Sequence, residues 1–347
     1  MSEEQRQQTY ADRHRDLLVR ALARAIPKGS PVALLDFPDH GNVGDSAIWL
    51  GEIHGLRANR NTISYTSSIH RHEFSARTLR AVMPEGVVLL HGGGNLGDLW
   101  PKHNNLRRKV LTDLVDYKVV LLPQTLHVTS DAAWDDLRAI LLSHPALTTL
   151  CRDRTTEREL EKIGVQTALC PDAAFGIPSL DPAPPTRRLG WLLRTDHESP
   201  LLDAPLLGKR DDVFDWRSLG LGDNRPRPIK SISTRSRRLR RRALEAWPER
   251  VATSLMRSRA ARMTRAADRR VQAGVTAIGT YDLLITNRLH GLLLRVLMDR
   301  PVIVIDSGYG KIDRYIEAFP PRGNAGTIHI ATSVDEAQEI AASLMRR

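Results

Sequence analysis

Leu283-Leu284-Ile285-Thr286-Asn287-Arg288-Leu289-His290-Gly291 is the stretch from which the fold can be read. Three apolar residues lead into a polar turn, and the amphipathic run Leu292 to Met298 follows it. That is the pattern of a buried strand turning directly into a helix. Such a turn sets Arg288 and His290 at the carboxyl edge of a sheet, beside the free N–H groups of a helix start. In open α/β folds this edge is where ligands bind. The next apolar run, Val302 to Ile305, exits into Asp306-Ser307-Gly308-Tyr309-Gly310-Lys311, so a second polar turn should open on the same crevice. A guanidinium, an imidazole and the Lys311 ammonium then converge, which suits an anionic ligand and proton transfer. Taken alone, the same residues also fit a local ion pair and a helix cap.

The rhythm recurs upstream. A leading helix within Met1 to Ile26 precedes the strand Val32–Leu35, whose exit Asp36 to His40 runs into Gly41-Asn42-Val43-Gly44-Asp45. Ser46 is placed to cap a helix over Ala47–Arg57. The buried strand Val87–Leu90 is followed by His91-Gly92-Gly93-Gly94-Asn95-Leu96-Gly97-Asp98. This run meets the G-x-G-x-x-G spacing, but a dinucleotide site also needs an immediate helix and an acid after the following strand. Here Pro101 delays the helix to about His103, and the strand Val119–Leu122 ends in Pro123-Gln124. The glycines are therefore read as letting backbone approach an anion or a sugar, and the missing Gly-Lys-Ser/Thr excludes a P-loop. Strands Leu147–Leu150 and Thr167–Leu169 flank a helix capped by Thr155 and ending at Gly164.

This alternation predicts an α/β fold with largely parallel, doubly wound sheets. Asp181-Pro182-Ala183-Pro184-Pro185 reads as a linker between an N-terminal unit, residues 1–180, and a C-terminal unit, residues 186–347, that opens on the strand Leu189–Leu193. Leu201 to Ile232 yields no elements by this reasoning, and a basic insertion of helical composition spans residues 225–270.

Composition narrows the function classes. A chain of 347 residues with 41% hydrophobic and 26% charged residues is ordinary for a water-soluble protein of about two domains. Its two cysteines, Cys151 and Cys170, are too few for a zinc site or a disulfide framework. The polar start argues against a secretory signal, and no apolar run reaches the roughly 18 residues of a membrane span, so a cytoplasmic location is expected. The formal charge of +11 is confined to Arg225–Arg270, which holds 16 Lys/Arg against Glu245, Glu249 and Asp268. With almost no aromatic residues to stack on and no zinc-finger or helix-turn-helix signature, that segment does not read as a nucleic-acid site. A solvated helix face is its simplest reading; beyond that it suits an anionic phospholipid or glycan, giving a peripheral contact at the inner face of the membrane through Arg235 to Arg270.

Eight stretches in order resemble the polysaccharide pyruvyltransferase family, specifically its exopolysaccharide ketal-pyruvate branch. They are HGNVGDSAIWLGE (40–52), HGGGNLGDLWPKH (91–103), LLPQTLH (121–127), CRDRT (151–155), LCPDAAF (169–175), LRTDHES (193–199), TNRLHG (286–291) and DSGYGKI (306–312). Cys151 stands where the family more often has Ser or Asp, and Ser307-Gly308 where it often has Asn-Ser. The resemblance implies two Rossmann-like domains facing across a cleft, as in two-domain glycosyltransferases. It also implies phosphoenolpyruvate as donor and a sugar unit of a cell-surface glycan, free or lipid-linked, as acceptor. A donor with a phosphate and a carboxylate needs at least two fixed cations, for which Arg194 and Arg288 are the candidates. His290 is the expected acid, with His127, Leu289 and Lys311 as further donor contacts. Asp45 and Asp98 are candidate catalytic carboxylates, and Asn42, Gly93, Gly94 and Asn95 candidate acceptor contacts, although loop capping would explain Asp45, Asn95 and Asp98 as well. There is no D-x-D motif, carboxylate pair or His/Cys cluster with ligand spacing, so neither metal nor cofactor is expected.

Overall fold

The computed structural model describes residues 8–194, 212–221, 249–305, 310–321 and 327–346. The first half runs α1 (Tyr10–Ala25), β1 (Pro31–Leu35), α2 (Val43–Ala58), β2 (Thr62–Thr66), α3 (Ala76–Val82), β3 (Val87–Leu90), β4 (Gly93–Gly97), α4 (Pro101–Asp113), β5 (Lys118–His127), α5 (Asp131–Leu142), β6 (Leu147–Cys151), α6 (Arg154–Lys162) and β7 (Gln166–Leu169). These strands form one parallel sheet ordered β2-β1-β3-β5-β6-β7, with β4 paired to β5.

The second half runs β8 (Arg187–Leu192), β9 (Val213–Phe214), α7 (Glu249–Gly279), β10 (Tyr281–Thr286), α8 (Leu289–Leu297), β11 (Val302–Ile305), α9 (Lys311–Ala318), β12 (Ile328–Ala331) and α10 (Val334–Leu344). Its sheet is parallel too, ordered β12-β11-β10-β8-β9. The expected mixed α/β architecture with parallel sheets is therefore present.

Strand alternation decides which face each residue serves. Leu34, Leu89 and Val120 of the first sheet share one continuous core with Leu192, Leu284 and Val304 of the second, and with apolar residues of α2, α7 and α8. The opposite faces carry separate clusters, one built on Leu35, Leu90 and Leu121 and the other on Trp191, Ile285 and Ile303. Cutting one of these fully buried Leu side chains back to Ala costs about 2–5 kcal/mol.

Four local expectations differ from the structure. Helix α2 starts earlier than Ser46, because the Asn42 side chain accepts from Gly44 N–H and serves as its cap. Helix α6 is capped by Asp153 rather than Thr155. Pro101 does not delay α4 but occupies its first turn, where its missing N–H is no loss. The glycine-rich run is partly a strand, β4, and β5 continues past Pro123 to His127 with a register shift between Leu121 and Gln124.

The basic segment is described only from residue 249. There it forms α7, whose residues Ala252, Met256, Ala260, Met263, Ala267, Val271, Val275 and Ile278 are buried at three- and four-residue spacing. That stripe packs α7 onto α2, β2 and α3 of the first half. Arg257, Arg262, Arg265 and Arg269 are exposed, whereas Arg270 is buried and donates to Pro38 O at 2.7 Å. Among the described residues no helix is long and apolar enough to cross a membrane.

Candidate active site

A cavity of about 740 Å³ lies where the carboxyl ends of strands from both sheets meet, and the residues that immediately follow those strands line it. Asp36 follows β1, His91 follows β3, Arg152 follows β6, and Asn287 and Arg288 follow β10. Arg194 lies just beyond β8, and Lys311 opens α9. The strand-exit rule that placed Arg288 and His290 thus holds for both sheets.

His290, on α8 of the second half, lies against Asp172 and Gly44 of the first. Its Nε2 lies 3.4 Å from Oδ2 of Asp172, a buried carboxylate just beyond β7. Arg152 Nη1 donates to the same Oδ2 at 2.6 Å, its Nε donates to Thr125 Oγ1 at 2.7 Å, and Ala174 N–H donates to Asp172 Oδ1 at 2.9 Å. Burial by itself pushes the Asp172 carboxyl up, but His290, Arg152 and the Ala174 N–H outweigh it and hold it well below the usual carboxylate range. A fixed negative charge therefore faces His290. On its other side the ring lies against Gly44: a Cβ at that position would sit 2.5 Å from His290 Nδ1, so only glycine admits the imidazole there.

Carboxylate and imidazole groups recur around the wall. His40 Nε2 is 3.6 Å from Asp45 Oδ2. His91 Nδ1 and Glu52 Oε2 are 2.8 Å apart, both buried, and Gly92 N–H donates to Glu52 Oε1 at 2.8 Å. His103 Nδ1 and Asp36 Oδ2 are 2.6 Å apart. For Asp45, burial acts upward, yet the charges of His40, His290, His91 and His103 prevail and lower its pKa. For His91, burial acts downward, and Glu52, Asp36 and Asp45 overcome it to raise the pKa.

Cations complete the lining. Arg288 Nη2 contacts Asp215 Oδ1 at 2.5 Å and Oδ2 at 2.7 Å, so a buried carboxylate fixes its guanidinium at the cavity wall. Asn287 Oδ1 accepts from Arg194 N–H at 2.8 Å and ties the exits of β8 and β10 together. Gly94 lies under two more cations, its Cβ position being 3.2 Å from Arg152 Nη2 and 4.0 Å from Lys311 Nζ. Among the described residues no group of three or more His, Cys, Asp or Glu side chains is disposed to hold a metal ion.

The sequence profile of the polysaccharide pyruvyl transferase family matches residues 42–309, which takes in every strand exit named above except Asp36. The chain belongs to that family. It is 26% identical over 306 residues to a Bacillus subtilis (strain 168) protein named "Putative pyruvyl transferase EpsO", covering 86% of this chain and 88% of that one. It is 29% identical over 297 residues to pyruvyl transferase 1 of Schizosaccharomyces pombe (strain 972), covering 82% and 68%. Its fold is shared by the crystal structure of a functionally uncharacterised Klebsiella pneumoniae protein, with a TM-score of 0.56 and 15% identity over 92% of this chain and 99% of that one.

Of the residues expected from sequence, the pyruvyl transferase cavity gathers Asn42, Asp45, Gly94, Asn95, Arg194, Arg288, Leu289, His290 and Lys311. Gly93 packs toward Ile48 instead, with positive φ. Asp98 accepts from the backbone and side chain of Thr129, and His127 ends β5 beside Gly97; neither lines the cavity. The 195–199 and 306–309 parts of the matching stretches lie outside the described residues. The residues that sequence reasoning passed over are Asp36, Glu52, His91, His103, Arg152, Asp172 and Asp215. Four of them, Asp36, His91, His103 and Arg152, carry a signal that was there to use: three directly follow a strand, and His103 lies in the first turn of a helix after one.

Proposed function

We propose that this family member transfers the pyruvyl group of phosphoenolpyruvate to two hydroxyls of one sugar unit in a cell-surface or exopolysaccharide glycan, or its lipid-linked precursor, forming a cyclic ketal and releasing phosphate. The observation that carries the reading is His290, clamped between Asp172 and Gly44 on a wall that also bears Arg152, Arg194, Arg288 and Lys311. Four cations suit a ligand with both a phosphate and a carboxylate, and Arg binds each bidentately. His290, facing the ionised Asp172, gives a proton to the methylene carbon as the adjacent carbon becomes electrophilic. One sugar hydroxyl bonds to that carbon, the carbon–oxygen bond to phosphate breaks, and the second hydroxyl closes the ring. Two hydroxyl protons are lost in all; one is balanced by the new methyl hydrogen and the other departs with phosphate.

In this reading the two sheets act as two Rossmann-like domains on either side of the cavity, the second holding the donor and the first presenting the acceptor. No cofactor takes part. The exposed face of α7 meets the anionic inner leaflet, at about 1 kcal/mol per basic residue near the surface, and salt reverses the attachment.

The test is incubation with phosphoenolpyruvate and a panel of glycosides, recording phosphate release and product mass. The reading expects acceptor-dependent phosphate release with a product heavier by one pyruvyl ketal. Transfer from a nucleotide sugar, with no response to phosphoenolpyruvate, overturns it.

A further inference from the structure

We propose that His103 is a catalytic base that takes the proton of the attacking sugar hydroxyl, that Asp36 holds it in place, and that Trp100 is the surface on which the sugar lies. The inference rests on the pyruvyl-transfer reading and assigns three residues that it leaves without a role.

The three are assembled by two structural accidents of sequence order. Asp36 is the first residue beyond β1, while His103 lies in the first turn of α4, 67 positions later, and their 2.6 Å contact joins the two elements at the cavity wall. Asp36 is buried and has a φ of 72°, a left-handed conformation that few non-glycine residues adopt and that tends to be kept where a side chain must point a particular way. A carboxylate only accepts, so Nδ1 of His103 carries the shared hydrogen. In the neutral ring Nε2 is then a bare acceptor, the arrangement by which a carboxylate sets an imidazole's tautomer for base catalysis. Nε2 makes no hydrogen bond among the described residues, and the His103 side chain is 21% exposed where it lines the cavity.

Trp100 immediately precedes α4, and its carbonyl accepts from His103 N–H at 3.0 Å. Both side chains line the cavity. Trp100 is 47% exposed, among the most exposed large apolar side chains of the described residues, and it lines the cavity. An indole left uncovered at the mouth of a polar cavity offers the flat apolar surface that the C–H face of a pyranose requires, and the neighbouring Asn95 offers the hydrogen bonds that its hydroxyls require. The carboxyl of Asp45 feels the charge of both the base and the proposed acid, His290. Proton removal from the acceptor and proton delivery to the donor are thereby given to separate imidazoles, and both exchange their protons with solvent between turnovers.

The test uses the full chain with phosphoenolpyruvate and whichever glycoside the wild type accepts. His103→Gln is expected to lower kcat by about 10²-fold or more while leaving the rise in melting temperature on adding phosphoenolpyruvate intact. Asp36→Asn tolerates the left-handed backbone, so it keeps the fold while removing the charge. Asp36 contacts His103 directly, and the carboxyl of Asp45 on α2 feels its charge. Losing the Asp36 carboxylate leaves the tautomer of His103 unset, so kcat should fall about tenfold or more while the acceptor KM stays within a factor of three and the donor-induced rise in melting temperature is kept. Trp100→Ala should raise the acceptor KM about tenfold with kcat within a factor of three, and Trp100→Phe should restore it. If the wild type turns over and either His103→Gln or Asp36→Asn stays within threefold of its kcat, the base assignment is wrong. If Trp100→Ala leaves the acceptor KM unchanged, the sugar lies elsewhere. If the wild type releases no phosphate with any acceptor, it is the underlying pyruvyl-transfer reading that has failed.

Discussion

The two rims of the cavity are built from the same local device, a parallel strand ending in a polar residue, and they carry different chemistry. The first-sheet rim pairs imidazoles with carboxylates, His40 with Asp45, His91 with Glu52 and His103 with Asp36, and adds one guanidinium, Arg152, tied to Asp172. The second-sheet rim presents cations, Arg194 and Arg288, the latter anchored by Asp215, with Lys311 beyond them. One rim is suited to moving protons and the other to holding an anion. His290 belongs by sequence to the second rim and by contact to the first, since Asp172 and Gly44 are what fix its ring.

The largest expected effect tests whether His290 belongs with the proton-handling groups. His290→Asn keeps hydrogen-bonding capacity but cannot carry a proton near neutral pH, so turnover should fall by about 10²–10⁴-fold while stabilisation by phosphoenolpyruvate survives. Near-normal turnover makes the imidazole a bystander; loss of donor binding as complete as in Arg288→Ala places it with the anion-holding rim instead.

A smaller effect is expected from Arg288→Lys. The charge is kept and the fork is lost, so one of the two partners, the donor or Asp215, goes short of a bond. A charge-assisted hydrogen bond is worth about 1.5–3 kcal/mol, so donor affinity and rate should each fall roughly tenfold to a hundredfold. An unchanged donor affinity would detach Arg288 from the donor and leave it a structural partner of Asp215.

The third prediction supplies the baseline against which pH effects on either rim are read. His14 lies outside both, stacked 3.8 Å from the Tyr10 ring and 4.7 Å from that of Phe175, with its Nδ1 2.6 Å from Tyr10 O. Burial is the main cause that lowers its pKa from 6.5 to about 4. The folded protein therefore needs neutral His14, whereas the unfolded chain takes up a proton as pH falls through about 6.5. The stability contributed by the neutral ring is fully present above that value and is lost progressively down to pH about 4, on the order of 1–3 kcal/mol. Denaturant midpoints measured from pH 7 to 4 should show the decline, and His14→Phe should flatten it. A wild type as stable at pH 4.5 as at pH 7 contradicts the assignment.

The parallel α/β architecture was legible because apolar runs of four to six residues ending in polar turns leave little else to build. The strand exits that were singled out, around Arg194, Arg288 and His290, did converge on one cavity. The partners of those side chains were not legible, because strand order rather than sequence order creates them. Glu52 and His91 are 39 positions apart, Asp36 and His103 are 67, and Arg288 and Asp215 are 73. Glycine runs hid β4, since a strand without side chains has no alternating pattern to read. The buried stripe of α7 was masked in another way: much of it is Ala and Met, and the arginines between them dominate the composition.

The central claim is that the cationic rim holds phosphoenolpyruvate. Its most direct test is the melting temperature of the wild type and of Arg288→Ala with phosphoenolpyruvate, inorganic phosphate or a nucleotide sugar, because a ligand of the native state stabilises it by mass action. The account predicts that phosphoenolpyruvate raises the wild-type value beyond what phosphate does, that Arg288→Ala loses most of the rise, and that the nucleotide sugar has no effect. A rise with the nucleotide sugar alone, or a phosphoenolpyruvate effect untouched by Arg288→Ala, would contradict it.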